Sequence, residues 1–159
     1  MTTKTRTLTH IGIVDAALLT AACLIPAASH LLAFPLYMLN PMLALLLAAI
    51  VLGRDWRNAL VMAVLLPAIS FLFTGMPTAS KMVCMMAEYA VVASIFGLLQ
   101  RKWSALPAVL VAILAGKVAY YALKAVIIAP SVLVSTEWTI QLIAVMLWAG
   151  LFALLYKKI

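Results

Sequence analysis

Two lysines and two tyrosines stand inside one apolar stretch of the chain. Lys117, Tyr120, Tyr121 and Lys124 follow one another at i, i+3, i+4 and i+7, so they share one face of a helix. A lysine near the centre of a bilayer costs about 2.5 to 3.5 kcal/mol on insertion scales. Lys124, near the end of its stretch, can extend its ammonium to the membrane surface, but Lys117 lies deeper. The pattern therefore favours a polar cavity at Lys117 over two lysines that only reach the membrane surface.

The preceding apolar stretch carries a carboxylate that could serve these lysines. Lys81, Cys84 and Glu88 lie at i, i+3 and i+7 and share a helical face. At 1.5 Å per residue, Glu88 lies roughly 10 to 12 Å below the outer end of its helix, between the depths expected for Lys117 and Lys124. It could pair with either lysine. Two interpretations stay open at this point, a structural ion pair and a pair of ligand contacts.

Further polar and aromatic residues are expected at the same end of the helices. Trp138 and Gln141 share one face of the last apolar stretch, and His30, Tyr37 and Asn40 stand in a long connection that could act as a lid. The convergence predicts a small-molecule site that opens outward. The residues predicted to bind the substrate are Lys117, Tyr121, Lys124, Glu88, Gln141, Trp138, Lys81, His30, Tyr37 and Asn40.

Enzyme and cofactor signatures are missing from the sequence. It contains no HExxH, GxSxG, Walker A or GxGxxG motif. Its two cysteines, Cys23 and Cys84, form no CxxC pair, and a helix between His10 and His30 would hold them about 30 Å apart, too far to share a haem. We therefore expect no enzymatic activity, no cofactor and no metal.

The elements that must position these residues are apolar helices. Of the 159 residues 68% are apolar and only 9% are charged, which excludes a water-soluble domain. A membrane β-barrel would show alternating polar and apolar positions, and the sequence does not. The prediction is an all-α integral membrane protein, one domain over residues 1–159, with six transmembrane helices over residues 11–28, 36–53, 59–73, 82–99, 105–129 and 138–156.

The positions of the basic residues predict the orientation of the helices. Every second connection is basic, and one side carries eight of the eleven lysines and arginines: Lys4, Arg6, Arg54, Arg57, Arg101, Lys102, Lys157 and Lys158. The positive-inside rule assigns that side to the cytoplasm. Both termini are therefore expected inside the cell.

The first helix carries a face of small residues formed by Ala16, Ala17, Thr20 and Ala21, which suits close helix packing. With this face, six short helices and an aromatic, proline-containing first outer loop, the chain resembles the substrate-binding S components of energy-coupling factor (ECF) vitamin transporters. The closest likeness lies in Phe34-Pro35-Leu36-Tyr37, Asn40-Pro41-Met42, Leu66-Pro67-Ala68-Ile69-Ser70-Phe71 and Met86-Ala87-Glu88.

This resemblance implies a membrane subunit that captures a vitamin or related small molecule outside a bacterial cell. It further implies that the face of Ala16, Ala17, Thr20 and Ala21 docks onto a membrane coupling subunit served by two cytoplasmic ATPases, which would hydrolyse the ATP. Lys117 departs from the family pattern because it is deep and basic for a vitamin pocket, and it suggests an anionic or aromatic substrate.

Two other classes of membrane protein compete with this interpretation. A small six-helix scaffold that binds other membrane proteins without transport would need no outer cavity, so the polar residues around Lys117 argue against it. A proton-coupled carrier that works alone would be expected to show internal repeats and broken helices, and the sequence shows neither.

Overall fold

The computed structural model describes residues 3–31, 39–53, 55–128 and 138–158, and within them the side chains of 11–29, 31, 39–53, 55–128 and 139–156. The described residues form six helices: α1 (Thr3–Leu31), α2 (Pro41–Gly53), α3 (Trp56–Thr74), α4 (Ala79–Leu99), α5 (Ala105–Ile127) and α6 (Trp138–Lys158). The described part of the chain contains no strand. The all-α prediction is therefore confirmed.

Within the part of the chain that the structure describes, five helices are long and apolar enough to cross a membrane, with spans Ile11–Ser29, Trp56–Thr74, Ala79–Leu99, Ala105–Ile127 and Thr139–Tyr156. The fold is that of a multi-pass membrane protein. The second predicted span is shorter in the structure than the sequence predicted. α2 has 13 residues and is about 20 Å long at 1.5 Å per residue, which is short of the roughly 30 Å hydrocarbon core.

α2 is short because of how it starts. The expected helix over 36–53 does not begin before Pro41, since Asn40 lies in the left-handed region with φ 49°. A proline suits the first position of a helix because its missing N–H would have no partner there. The first turn is closed by the Leu43 amide, which donates to the Asn40 carbonyl at 3.0 Å.

The start of α2 lies level with the middle of the neighbouring helices. The Trp148 indole Nε1–H, halfway along α6, donates to the Leu39 carbonyl at 2.5 Å. The Asn40 amide reaches Glu88, halfway along α4. The chain therefore enters α2 from inside the bundle, where irregular backbone is tolerated because protein groups satisfy it.

α4 and α5 approach each other closely through small residues. Ala108, Ala112 and Gly116 lie four residues apart on one face of α5 and are fully buried. A Cβ at Gly116 would lie 2.6 Å from Val92 Cγ2 and 2.9 Å from the Glu88 carbonyl oxygen of α4. Small residues therefore form the face of α5 that packs against α4.

Contacts at one end of the bundle bring together the connections that carry basic residues. The Trp56 ring at the start of α3 lies 3.0 Å from the position of a Cβ on Gly97. The Tyr156 hydroxyl near the end of α6 donates to Gln100 Oε1 at 3.1 Å. Arg57, Arg101 and Lys102 therefore lie at one end of the bundle, which we call the basic end.

Candidate functional site

The central feature of the site is an ion pair between the middles of α4 and α5. Lys117 Nζ lies 2.9 Å from Glu88 Oε1, and the two side chains are only 13% and 2% exposed. Gly116, directly before Lys117, allows α5 to come close enough for this contact. Of the two lysines that the sequence offered to Glu88, the structure pairs it with the deeper one.

Two further side chains extend the ion pair into a buried network. The Asn40 Nδ2–H donates to Glu88 Oε1 at 3.4 Å, and the Tyr89 hydroxyl donates to Asn40 Oδ1 at 2.9 Å. We call Lys117, Glu88, Asn40 and Tyr89 the central network. The central network joins α4, α5 and the start of α2. Asn40, which the sequence predicted to lie in a lid, therefore lies inside the bundle.

The face of α5 predicted to be cationic and aromatic is contiguous. The Lys117 and Lys124 ammonium groups each lie 5.6 Å from the centroid of the Tyr120 ring, and Lys124 also lies 5.8 Å from the Tyr121 ring centroid. These distances permit cation–π attraction, which strengthens when the groups are shielded from water. Lys124 therefore packs against two tyrosine rings and lies about two helical turns from Lys117.

A groove of about 450 Å³ runs between α5 and α6 beside the ion pair. Its walls are mostly hydrocarbon, and its lining residues are Leu114, Lys117, Val118, Tyr121, Ala122, Gln141, Leu142 and Val145. Val118 is 71% exposed, Leu142 57% and Leu114 48%. Because these exposed side chains belong to the lining, the groove opens along the side of the bundle, whereas the sequence analysis expected an opening at its outer end.

The structure brings together part of the predicted site. Lys117, Tyr121 and Gln141 share the groove, while Glu88 and Asn40 lie behind it in the central network. Lys81 is exposed at the start of α4. Tyr37 and the side chains of His30 and Trp138 lie outside the described residues.

Sequence reasoning missed two polar contacts of this region. Tyr89 had no distinguishing spacing, although a buried tyrosine hydroxyl usually needs a partner, and the structure gives it Asn40. Trp148 also has no distinguishing spacing in the sequence, and its indole Nε1–H donates to the Leu39 carbonyl. Both contacts depend on where α2 begins, which the apolar pattern could not show.

The small-residue face of α1 lies on the outside of the bundle. Ala16, Ala17 and Thr20 are exposed, and Ala21 is half-buried. The Thr20 hydroxyl donates a hydrogen bond within its own helix to the Ala16 carbonyl at 2.8 Å. This hydroxyl therefore needs no acceptor from another helix. α1 packs against α2 and α3 and leaves this face uncovered by the described residues.

The described residues offer no cluster of three or more metal-binding side chains. Comparisons of the chain with protein-family models, with curated proteins and with solved structures find no match.

Proposed function

We propose that the chain is the substrate-binding membrane subunit of an ECF-type importer, which captures a vitamin or related small molecule. The observation that carries this proposal is the charged central network beside a groove of small-molecule size. Ligand sites typically occupy about 300 to 1,000 Å³ and combine apolar walls with a few polar groups. The groove between α5 and α6 has a volume in that range and apolar walls, and the charged pair of Lys117 and Glu88 lies beside it.

The cost of the buried charges supports a role in binding. Replacing a buried ion pair by apolar residues of similar volume is often neutral or stabilising. A bundle that needed only to fold would therefore gain little from Lys117 and Glu88. In the proposed site Lys117, Tyr121 and Gln141 contact the substrate, Glu88 and Asn40 fix the lysine, and Lys124 attracts an anionic group.

The exposed face of α1 is the proposed docking surface. Ala16, Ala17 and Thr20 would let a helix of a membrane coupling subunit approach closely. Two cytoplasmic ATPases attached to that subunit would supply the energy, so the chain itself would not be an enzyme. We place it in a bacterial plasma membrane with the basic end and both termini inside.

The test is native mass spectrometry of the purified chain, combined with a pull-down of the coupling subunit from the producing cells. We expect a reproducible small-molecule adduct, and loss of the coupling subunit with Ala17→Trp while the adduct remains. Leu72→Trp, which adds the same bulk at an exposed position on α3, is the matched control and should change neither. A six-helix scaffold would bind proteins but carry no adduct, and that result would favour the alternative function.

The orientation has its own test with impermeant thiol reagents on intact cells. In a background without Cys23 and Cys84, a cysteine in place of the exposed Trp103 at the basic end should stay unlabelled. A cysteine in place of the exposed Thr78, between α3 and α4, should react. Labelling at position 103 from outside would overturn the proposed orientation.

A further inference from the structure

The three basic residues that stand apart from the basic side of the sequence gather on two neighbouring helices. Lys81 lies in the first turn of α4, and Lys117 and Lys124 lie on α5, which runs antiparallel to α4. Lys117 contacts Glu88. Lys81 on α4 and Lys124 on α5 each lie seven residues farther from the basic end, which is two turns or about 10 Å. These two lysines therefore lie level with each other at the opposite end of the bundle, on the faces that form the ion pair.

Within the described part of the chain, no acidic residue neutralises Lys81 and Lys124. The carboxylate of Glu88 lies 2.9 Å from the ammonium of its partner on α5. The other two described acids, Asp15 and Asp55, accept hydrogen bonds from the first turn of α3, next to the basic end. The opposite end of α4 and α5 therefore carries two positive charges that the described acids do not balance.

The position of Lys81 is electrostatically unfavourable for its own helix. The first turn of a helix lies at the positive end of the helix dipole, so a cation there destabilises the helix and an anion stabilises it. α4 has no acidic residue in its first turn, and the preceding Thr78 makes no side-chain cap. The charges of Lys81 and Lys117 also repel the charge of Lys124. A bound anion would relieve both unfavourable interactions.

The number of unbalanced charges indicates the class of anion. A carboxylate carries a single negative charge, whereas a phosphate monoester carries about −1.5 to −2 at pH 7 and has three strong acceptor oxygens. Each lysine ammonium has three N–H donors. A phosphate monoester therefore matches the two ammonium groups in charge, and its separate oxygens allow it to accept from both helices at once.

Resting on the proposed function, we propose that Lys81 and Lys124 bind a phosphate monoester group of a water-soluble substrate. The phosphate oxygens accept hydrogen bonds from both ammonium groups and bridge the ends of α4 and α5. The rings of Tyr120 and Tyr121 pack against Lys124 and hold its side chain at this end. The site lies about 10 Å from the Lys117 and Glu88 pair, which leaves the central network to the rest of the substrate.

The test is a calorimetric titration of the purified chain in phosphatidylcholine nanodiscs. The probe is phenyl phosphate, at a pH at which it is a dianion, and benzoate is the matched probe with the same ring and a single charge. We expect phenyl phosphate to bind at least about tenfold more tightly, because its second charge meets a second lysine. Equal affinities for the two probes would overturn the proposal.

Single substitutions locate the binding site. Lys81→Met and Lys124→Met should each lower the affinity for phenyl phosphate about tenfold, whereas Lys102→Met at the basic end should leave it within about twofold. An unchanged affinity in either of the first two variants would overturn the bridged site. Glu137, the remaining acid of the sequence, lies outside the described residues. Glu137→Gln should change the affinity by less than about twofold, and a tenfold gain would show that this acid already neutralises the lysines, which would refute the proposal.

A lipid headgroup could supply the same phosphate chemistry, and the composition of the nanodisc distinguishes the two sources. Phosphatidic acid is a phosphate monoester, whereas phosphatidylglycerol is an anionic diester. The titration is repeated in nanodiscs of four parts phosphatidylcholine to one part of either lipid. We expect the affinity for phenyl phosphate to agree within about twofold between them. An affinity about tenfold lower with phosphatidic acid would show that the lipid occupies the site and would overturn the assignment to a soluble substrate.

The outcomes for the phosphate site and for the proposed function are separable. If phenyl phosphate binds through both lysines but the chain binds no coupling subunit, the phosphate site stands and the importer proposal fails. If Lys81→Met and Lys124→Met leave phenyl phosphate binding unchanged while native mass spectrometry finds an adduct without phosphorus, the phosphate inference fails and the importer proposal stands.

Discussion

The middle of the bundle and its basic end are held together by different chemistry. In the middle, the contacts are ionic and polar, between Lys117, Glu88, Asn40 and Tyr89. At the basic end aromatic rings join α4 and α6, beside the hydrogen bond from Tyr156 to Gln100. The Phe96 ring of α4 meets Phe152 of α6 edge-on at 5.1 Å and Tyr156 at 5.6 Å, between ring centroids, and Phe152 and Tyr156 stack at 5.2 Å.

The difference shows that this bundle can join its helices without buried charge. Each aromatic pair contributes about 0.5 to 1.5 kcal/mol beyond its burial and leaves no charge to desolvate. The central network joins helices as well, but its charges must first be removed from water or lipid headgroups, which costs several kcal/mol per ion. We infer that the basic end serves stability and that the central network serves binding.

The largest loss of stability is expected when only one member of the ion pair is removed. Lys117→Met leaves the Glu88 carboxylate, which is almost fully buried, without its counter-ion. We expect the free energy of unfolding, measured by SDS titration, to fall by about 3 to 5 kcal/mol. Lys102→Met at the exposed basic end is the matched control and should change it by less than about 0.5 kcal/mol.

A loss below about 1 kcal/mol for Lys117→Met would mean that the pair behaves like an exposed salt bridge. In that case Glu88 would not be a buried charge in the folded protein, and the contrast with the basic end would disappear.

A smaller loss of stability is expected from a substitution that forces α4 and α5 apart. Gly116→Ala places a Cβ against Val92 and against the Glu88 backbone, and overpacking of this kind typically costs about 1 to 3 kcal/mol. Gly150→Ala on α6 meets nothing within 4 Å, so it should be neutral or stabilise by up to about 1 kcal/mol through helix propensity. Equal unfolding free energies for the two variants would refute the close packing.

A loss of stability no larger than that of Gly116→Ala is expected at the basic end. Phe152→Leu keeps an apolar side chain but removes two ring contacts, one with Phe96 and one with Tyr156, so the free energy of unfolding should fall by about 1 to 3 kcal/mol. The small-molecule adduct seen by native mass spectrometry should be unchanged. A lost adduct in a folded Phe152→Leu variant would show that the basic end also serves binding.

The sequence predicted the helices well because apolar length and proline breaks are local signals. The contact between α4 and α5 was also within reach, since Gly116 and Ala112 share one face and Glu88 lies at the depth of Lys117. Local patterns do not define where a chain enters the interior. The late start of α2 depends on the left-handed Asn40 and on Trp148, which bonds Leu39 across 109 residues of chain.

The direction in which the groove opens could not be predicted from the sequence either. Lys117 and Gln141 were each assigned to the same end of the bundle, and the structure places both in one groove. Whether that groove opens at the end or along the side depends on the angle and spacing of α5 and α6. Neither the angle nor the spacing can be predicted from the sequence, because Val118 and Leu142 are apolar whether the groove opens at the end or along the side.

The central claim, that the charges of the central network bind a ligand, is tested most directly by removing both of them together. In the variant Lys117→Met with Glu88→Gln neither charge is left without a partner, so the unfolding free energy should recover to within about 1 kcal/mol of wild type. The measurement is the affinity for the ligand that the wild-type chain retains, followed by native mass spectrometry. We predict a loss of at least about tenfold, the consequence of losing about 1.4 kcal/mol of contact. An affinity within about twofold of wild type, well under that 1.4 kcal/mol, would contradict the claim and make the network a structural ion pair only.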